Sequence, residues 1–182
     1  TFTPISGAAN PFDGVTLTGT DVVPVMVDLD GDGDLDLAVG LYAGGIAYFE
    51  NTGTRTAATF AQRTGSANPF NAIDVGFSAK PTFGDLDGDG DLDLLMGERI
   101  GELFYFENTG GSSAAVFTER TGAANPFLGI DMGSYSSPAL VDLDGDGDLD
   151  LIDGGDYSLR YFRNDGSAAA PVFVEVVGGA FP

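Results

Sequence analysis

Asp28-Leu29-Asp30-Gly31-Asp32-Gly33-Asp34-Leu35-Asp36 is repeated without change from Asp85 to Asp93 and from Asp142 to Asp150, a step of 57 residues each time. A fixed step of that length marks one structural unit used in tandem. The neighbouring sequence repeats with it, to within one residue of the same step. Tyr48-Phe49-Glu50-Asn51-Thr52-Gly53 returns at Tyr105 and, as Tyr-Phe-Arg-Asn-Asp-Gly, at Tyr161; Ala-Asn-Pro-Phe stands at Ala9, Ala67 and Ala124.

Within each unit the apolar residues follow the period of strands. Val23, Val25 and Val27 alternate before the first acidic run, and Leu35, Leu37 and Val39 alternate after it. A third apolar stretch over Ile46 to Phe49 matches Leu103 to Phe106 and Leu159 to Phe162, each ending in an Asn-Thr-Gly or Asn-Asp-Gly turn. A fourth starts near Phe60, Phe117 and Phe173 and runs into the Asn-Pro-Phe segment, where proline forces a loop. No clean helical stripe of ten residues occurs, and 28 Gly with 9 Pro point the same way. Each unit therefore reads as four antiparallel strands, a to d. Tandem four-stranded units bury their faces against one another, which is the logic of β-propeller blades; a β-sandwich does not need the fixed step. The blades are expected at approximately 21–70, 78–127 and 135–182 of a single repeat domain spanning 1–182. Residues 1–20 are read as a linker with an extra d-like outer strand at Thr1 to Ile5.

The acidic run itself reads as a cation loop. Carboxylates stand at loop positions 1, 3, 5 and 9 (Asp28, Asp30, Asp32, Asp36), so alternate residues can direct oxygens into one concavity. Gly33 at position 6 permits the reversal, and Asp34 at position 7 can offer its backbone carbonyl. Leu35 is expected to anchor the loop in the core. Position 12, where an EF-hand carries a bidentate Glu, is Val39, Met96 or Asp153, which excludes that motif. Polar turns alone would also favour Asp and Gly. Yet five Asp in nine residues, without Lys or Arg in any of the three loops, repel one another unless a divalent ion lies among them. Oxygen donors without a tight octahedral demand favour calcium over magnesium, at three sites per chain.

Composition narrows the classes further. With 28 acidic and 7 basic residues the chain of 182 carries a net charge of −21, so nucleic acid is not an expected partner. Cys and His are both absent, which removes zinc fingers, thiol chemistry and histidine bases. No apolar run is long enough to span a bilayer. Weak calcium sites fill permanently where calcium is abundant, so a secreted or cell-surface location is expected.

The pattern Asp-x-Asp-x-Asp-Gly-x-x-Asp between two strands, with Phe83-Gly84 before the second loop and Val39-Gly40 or Met96-Gly97 after the second strand, resembles the FG-GAP/VCBS repeats of integrin-like β-propellers. The resemblance covers all three units. It implies that the loop joins the two innermost strands, with Asp28, Asp30, Asp32, Asp36 and the Asp34 carbonyl on the first ion. The corresponding sets are Asp85, Asp87, Asp89, Asp93 with Asp91, and Asp142, Asp144, Asp146, Asp150 with Asp148.

Three blades fall short of the usual four to eight and leave two open edges. The expectation is a six-bladed ring closed by a second copy, or a fragment of a larger propeller. The acidic loops and the c–d turns should share one face, nearly invariant between units. The opposite face varies, with Tyr42, Arg99 and Tyr157 in b–c loops, Phe77 against Tyr135, and Lys80 against Ser137. Variation on a fixed scaffold is where recognition usually sits. A structural or adhesive module with a protein ligand is the first reading. A lectin using Tyr42, Tyr135 or Tyr157 is the alternative, and an amplified or engineered array without a natural ligand is the third. No enzyme is expected: beyond the loops, Asp74, Asp131, Asp153, Asp156 and Glu98 form no recognisable constellation for catalysis.

Overall fold

A computed structural model describes residues 2–17, 20–156 and 158–178. Among the described residues, twelve strands form three separate four-stranded antiparallel meanders, the blades expected from the repeat. The first blade is β1 (Val23–Val27), β2 (Asp36–Gly40), β3 (Ile46–Asn51) and β4 (Phe60–Arg63). The second is β5 (Lys80–Gly84), β6 (Asp93–Gly97), β7 (Leu103–Asn108) and β8 (Phe117–Arg120). The third is β9 (Pro138–Val141), β10 (Asp150–Gly155), β11 (Ser158–Asn164) and β12 (Phe173–Glu175). Short 3-10 turns at Gly7–Ala9, Gly65–Ala67 and Gly122–Ala124 precede the Asn-Pro-Phe segments.

The second strand of a blade is buried along its whole length in β2 and β6, on both faces. Burial on both faces is what stacked blades require of a central strand. A blade is covered on either side: Ala38, Ile46 and Tyr48 of the first blade pack against Leu94, Met96 and Phe106 of the second, while Leu95, Leu103 and Tyr105 of the second pack against Leu151 and Phe162 of the third. Fully burying one such side chain contributes roughly 1.5–3 kcal/mol, so these two interfaces are the core. The blades touch along their innermost strands, β1 beside β5 and β5 beside β9.

The Asn-Pro-Phe segments act as wedges. Phe70 lies edge-on to Tyr48 of the first blade and stacked on Phe117 of the second, and Phe127 bridges Tyr105 and Phe173 in the same way. Phe12 stacks on Phe60 of the first blade. Residues 2–6 form no strand, unlike the d-like strand expected there: among the described residues no strand c lies alongside to pair with it, and Phe2 is wholly exposed. Thr1 lies outside the described residues. Leu35 also departs from expectation, since it is half exposed, whereas its counterparts Leu92 and Leu149 pack into the interblade clusters. That position reaches towards the preceding blade rather than into its own.

Candidate metal centre

Each acidic loop joins the first two strands of its blade, β1 to β2, β5 to β6 and β9 to β10. The loop is shaped by its own carboxylates. Asp28 accepts the Gly31 and Gly33 amides at 2.9 and 3.1 Å, Asp30 that of Asp32 at 3.2 Å, and Asp32 that of Asp34 at 3.0 Å. The second loop repeats these bonds from Asp85, Asp87 and Asp89, and the third from Asp142, Asp144 and Asp146. Gly33, Gly90 and Gly147 turn with φ of 91, 92 and 99°, a conformation that a side chain disfavours.

Three carboxylates converge in every loop. One oxygen from each of Asp28, Asp30 and Asp32 lies within 4.8 Å of the others, as do those of Asp85, Asp87, Asp89 and of Asp142, Asp144, Asp146. The Asp at position 7 is buried in the first two loops, and Asp34 Oδ1 and Asp91 Oδ1 are buried without a hydrogen-bond partner. In the third loop Asp148 Oδ1 instead accepts the Ala168 amide at 2.8 Å. A buried carboxylate oxygen without a proton donor is a site that a cation satisfies. An all-oxygen donor set suits a hard divalent ion.

Position 9 is held differently. Asp36, Asp93 and Asp150 are buried and tie the loop to the third strand: Asp36 accepts the Tyr48 hydroxyl at 2.7 Å, the Asn51 amide at 2.8 Å and the Leu29 amide at 3.3 Å. Asp93 does the same with Tyr105, Asn108 and Leu86, and Asp150 with Tyr161, Asn164 and Leu143. The partner Asn then organises the c–d turn, Asn51 Oδ1 accepting the Gly53 and Thr59 amides. Neither Tyr48, Tyr105 and Tyr161 nor Asn51, Asn108 and Asn164 was singled out from sequence as part of the loop's support. Their signal was the recurrence of Tyr-Phe-x-Asn 11 or 12 residues after the last Asp of each loop.

Burial sets the electrostatics. Desolvation raises the carboxyl pKa of Asp30, Asp87 and Asp144, and their Asp neighbours add to it. Asp34, Asp91 and Asp36 are raised for the same first reason, and Asp93 is pushed up to about 6. Burial beside a carboxylate holds the phenols of Tyr48, Tyr105 and Tyr161 well above their usual value, so they remain donors.

A profile of the FG-GAP-like repeat matches residues 28–96 and, overlapping, 85–152, more than half of the chain. The chain belongs to the FG-GAP-like repeat family. A comparison with curated proteins found no match. Each matched FG-GAP-like segment runs from the start of one acidic loop into strand b of the next blade, so the family unit includes the interblade contact as well as the loop.

On the opposite face of the FG-GAP-like blades, the variable residues form local pairs. Tyr42 lies 5.7 Å from Phe77, and Lys80 donates to the Tyr135 carbonyl at 2.7 Å with its ammonium 5.6 Å from the ring centre. The structural counterpart of Tyr135 is Ser78, with Asp21 in the first unit: all three have φ between 54 and 58° at the start of the innermost strand. Tyr157 lies outside the described residues. Asp153, buried at the place of Val39 and Met96, accepts the Ser136 hydroxyl and the Ser137 amide, both at 2.6 Å, and so pins the d–a segment to its blade. Glu98 is likewise buried and accepts the Ile100 and Glu102 amides of its own b–c loop. Both acids therefore have structural partners.

Proposed function

We propose that the chain is a calcium-binding FG-GAP-like scaffold, secreted or at a cell surface, whose acidic loops hold the blades in shape while the variable face meets a protein ligand. The observation carrying the cation is the threefold convergence of carboxylates within 4.8 Å. It is joined by the buried, unpartnered oxygens of Asp34 and Asp91. Asp28, Asp30 and Asp32, with their counterparts in the other loops, would contribute carboxylates, and a bound divalent ion would neutralise the repulsion among them. Among the described residues no helix is long and apolar enough to cross a membrane.

A thermal melt with calcium and with chelator tests this reading. Binding to the folded state alone should raise stability by roughly 2.7 kcal/mol per site at a hundredfold excess over Kd. An unchanged melting temperature after chelation, with calorimetry finding no calcium bound, would sink it. The exposed Tyr42–Phe77 pair supports carbohydrate as a second ligand class, since such rings can cover sugar faces. Glycan-array binding that disappears in Tyr42→Ala would favour it over a protein ligand.

A further inference from the structure

The position-7 carboxylate of the acidic loop meets different surroundings in the second and third blades, although the nine loop residues are identical. In the third blade Asp148 Oδ1 accepts the Ala168 amide of its own c–d turn at 2.8 Å. Ser112 stands at the same place in the turn of the second blade, four residues after Asn108 as Ala168 is four after Asn164. Asp91 nevertheless makes no such bond: its Oδ1 is buried without a hydrogen-bond partner, and the residue as a whole is 6% exposed. The two turns take different courses, the second running through Gly110 and Gly111, the latter at φ 115°, where the third has Gly166 and Ser167. The bond that closes one loop is left open in the other.

The loop's own ion does not account for this oxygen. The carboxylates that converge in the second loop are Asp85, Asp87 and Asp89, and Asp91 stands outside that set. Asp93 is taken up by Leu86, Tyr105 and Asn108. What Asp91 adjoins is a cavity of about 240 Å³ between the first two blades. Asp28 and Gly31 of the first loop bound it on one side, and Gly90, Asp91, Asn108 and Ser112 on the other. The two sides are in close contact, since a Cβ on Gly31 would lie 2.8 Å from the Ser112 carbonyl. Both walls belong to blades that the chain itself supplies. Water alone fits the space, at about 30 Å³ a molecule. Charge decides against water alone: an Asp enters from each of two loops, neither Lys nor Arg bounds the cavity, and an uncompensated buried carboxylate is strongly destabilising.

We propose that Asp91 holds a fourth calcium ion in this cavity, between the first and second blades and separate from the three loop ions. Asp91 supplies the carboxylate, Asp28 adds negative charge from the other wall, and backbone carbonyls and water complete a shell of the kind calcium accepts. The volume admits one ion with several waters. The proposal rests on the reading of the loops as calcium sites and gives the cation a second duty there. A loop ion shapes one blade, whereas this ion fastens one blade to the next.

Equilibrium dialysis of the full chain against calcium should find four ions bound to the wild type and three to Asp91→Asn, whose backbone carbonyl still serves the second loop. Asp148→Asn is the matched control: asparagine can accept the Ala168 amide as aspartate does, so four ions should remain. Crystals grown in calcium give a reading that needs no variant, an anomalous peak beside Asp91 at the first blade in addition to the three loop peaks. Three ions in the wild type and three in Asp91→Asn, with peaks at the loops alone, would overturn the fourth site and leave the loop sites standing. No bound calcium at all would overturn both readings. Four ions retained in Asp91→Asn would overturn the proposal, as would an ion lost from Asp148→Asn, because the position-7 carboxylate would then serve its own loop.

Discussion

Phe70 stacks on Phe117 with ring centres 5.0 Å apart and planes 19° from parallel, although Phe70 belongs to the connection leaving the first blade and Phe117 to the outermost strand of the second. The connection between blades is thereby part of the interface it crosses. Phe127 on Phe173 repeats the stack at 4.5 Å and 22°.

Phe127→Ala should destabilise the chain by about 3–5 kcal/mol, because it empties a fully buried site between two blades. Phe12→Ala should cost far less, since Phe12, stacked on Phe60, is 42% exposed. Urea unfolding compares the two directly, and equal losses would contradict the wedge role.

Tyr105→Phe removes a hydroxyl donor from buried Asp93 and should cost about 1.5–3 kcal/mol in chemical denaturation. The same substitution should raise the Asp93 pKa further, because hydrogen bonding from Tyr105 lowers it. A titration of the Asp93 carboxyl followed by NMR would detect that shift; none would mean that the hydroxyl does not support the carboxylate.

In chelator, the Asp93 contribution to stability should fall as pH rises from about 4 to about 6 and then level off. Its folded pKa of about 6 exceeds the ordinary aspartate value of 3.8, so across that window the folded state holds a proton that the unfolded state has released. Calcium should reverse the trend at the loops, since ionised carboxylates bind it and protons compete. Denaturation midpoints against pH, with and without calcium, measure both slopes, and Asp93→Asn should flatten the chelated one.

Gly33→Ala meets no atom within 4 Å but must adopt φ near 91°, so it isolates backbone strain from crowding. The expected loss is about 1–2 kcal/mol together with weaker cation binding, because the Gly33 amide positions Asp28. Calorimetry should find one of three sites weakened; full affinity at all three would separate the turn from the cation.

The sequence by itself determined the unit, its four strands and the acidic loops, because strand period, turn residues and a 57-residue step are local or repeating signals. It also picked out Asp28, Asp30 and Asp32 as neighbours, since Asx-type bonds to amides two to five residues ahead are local. It set Asp36 on the ion beside them and did not show that this carboxylate is taken up by Tyr48, Asn51 and Leu29. Whether a carboxylate faces the loop centre or a tyrosine twelve residues away depends on how β3 lies across β2. Leu35 and Leu92 are identical in sequence context, yet one is exposed and the other packed. Only the stacking of blades decided that, because the surface each leucine covers belongs to the blade before it.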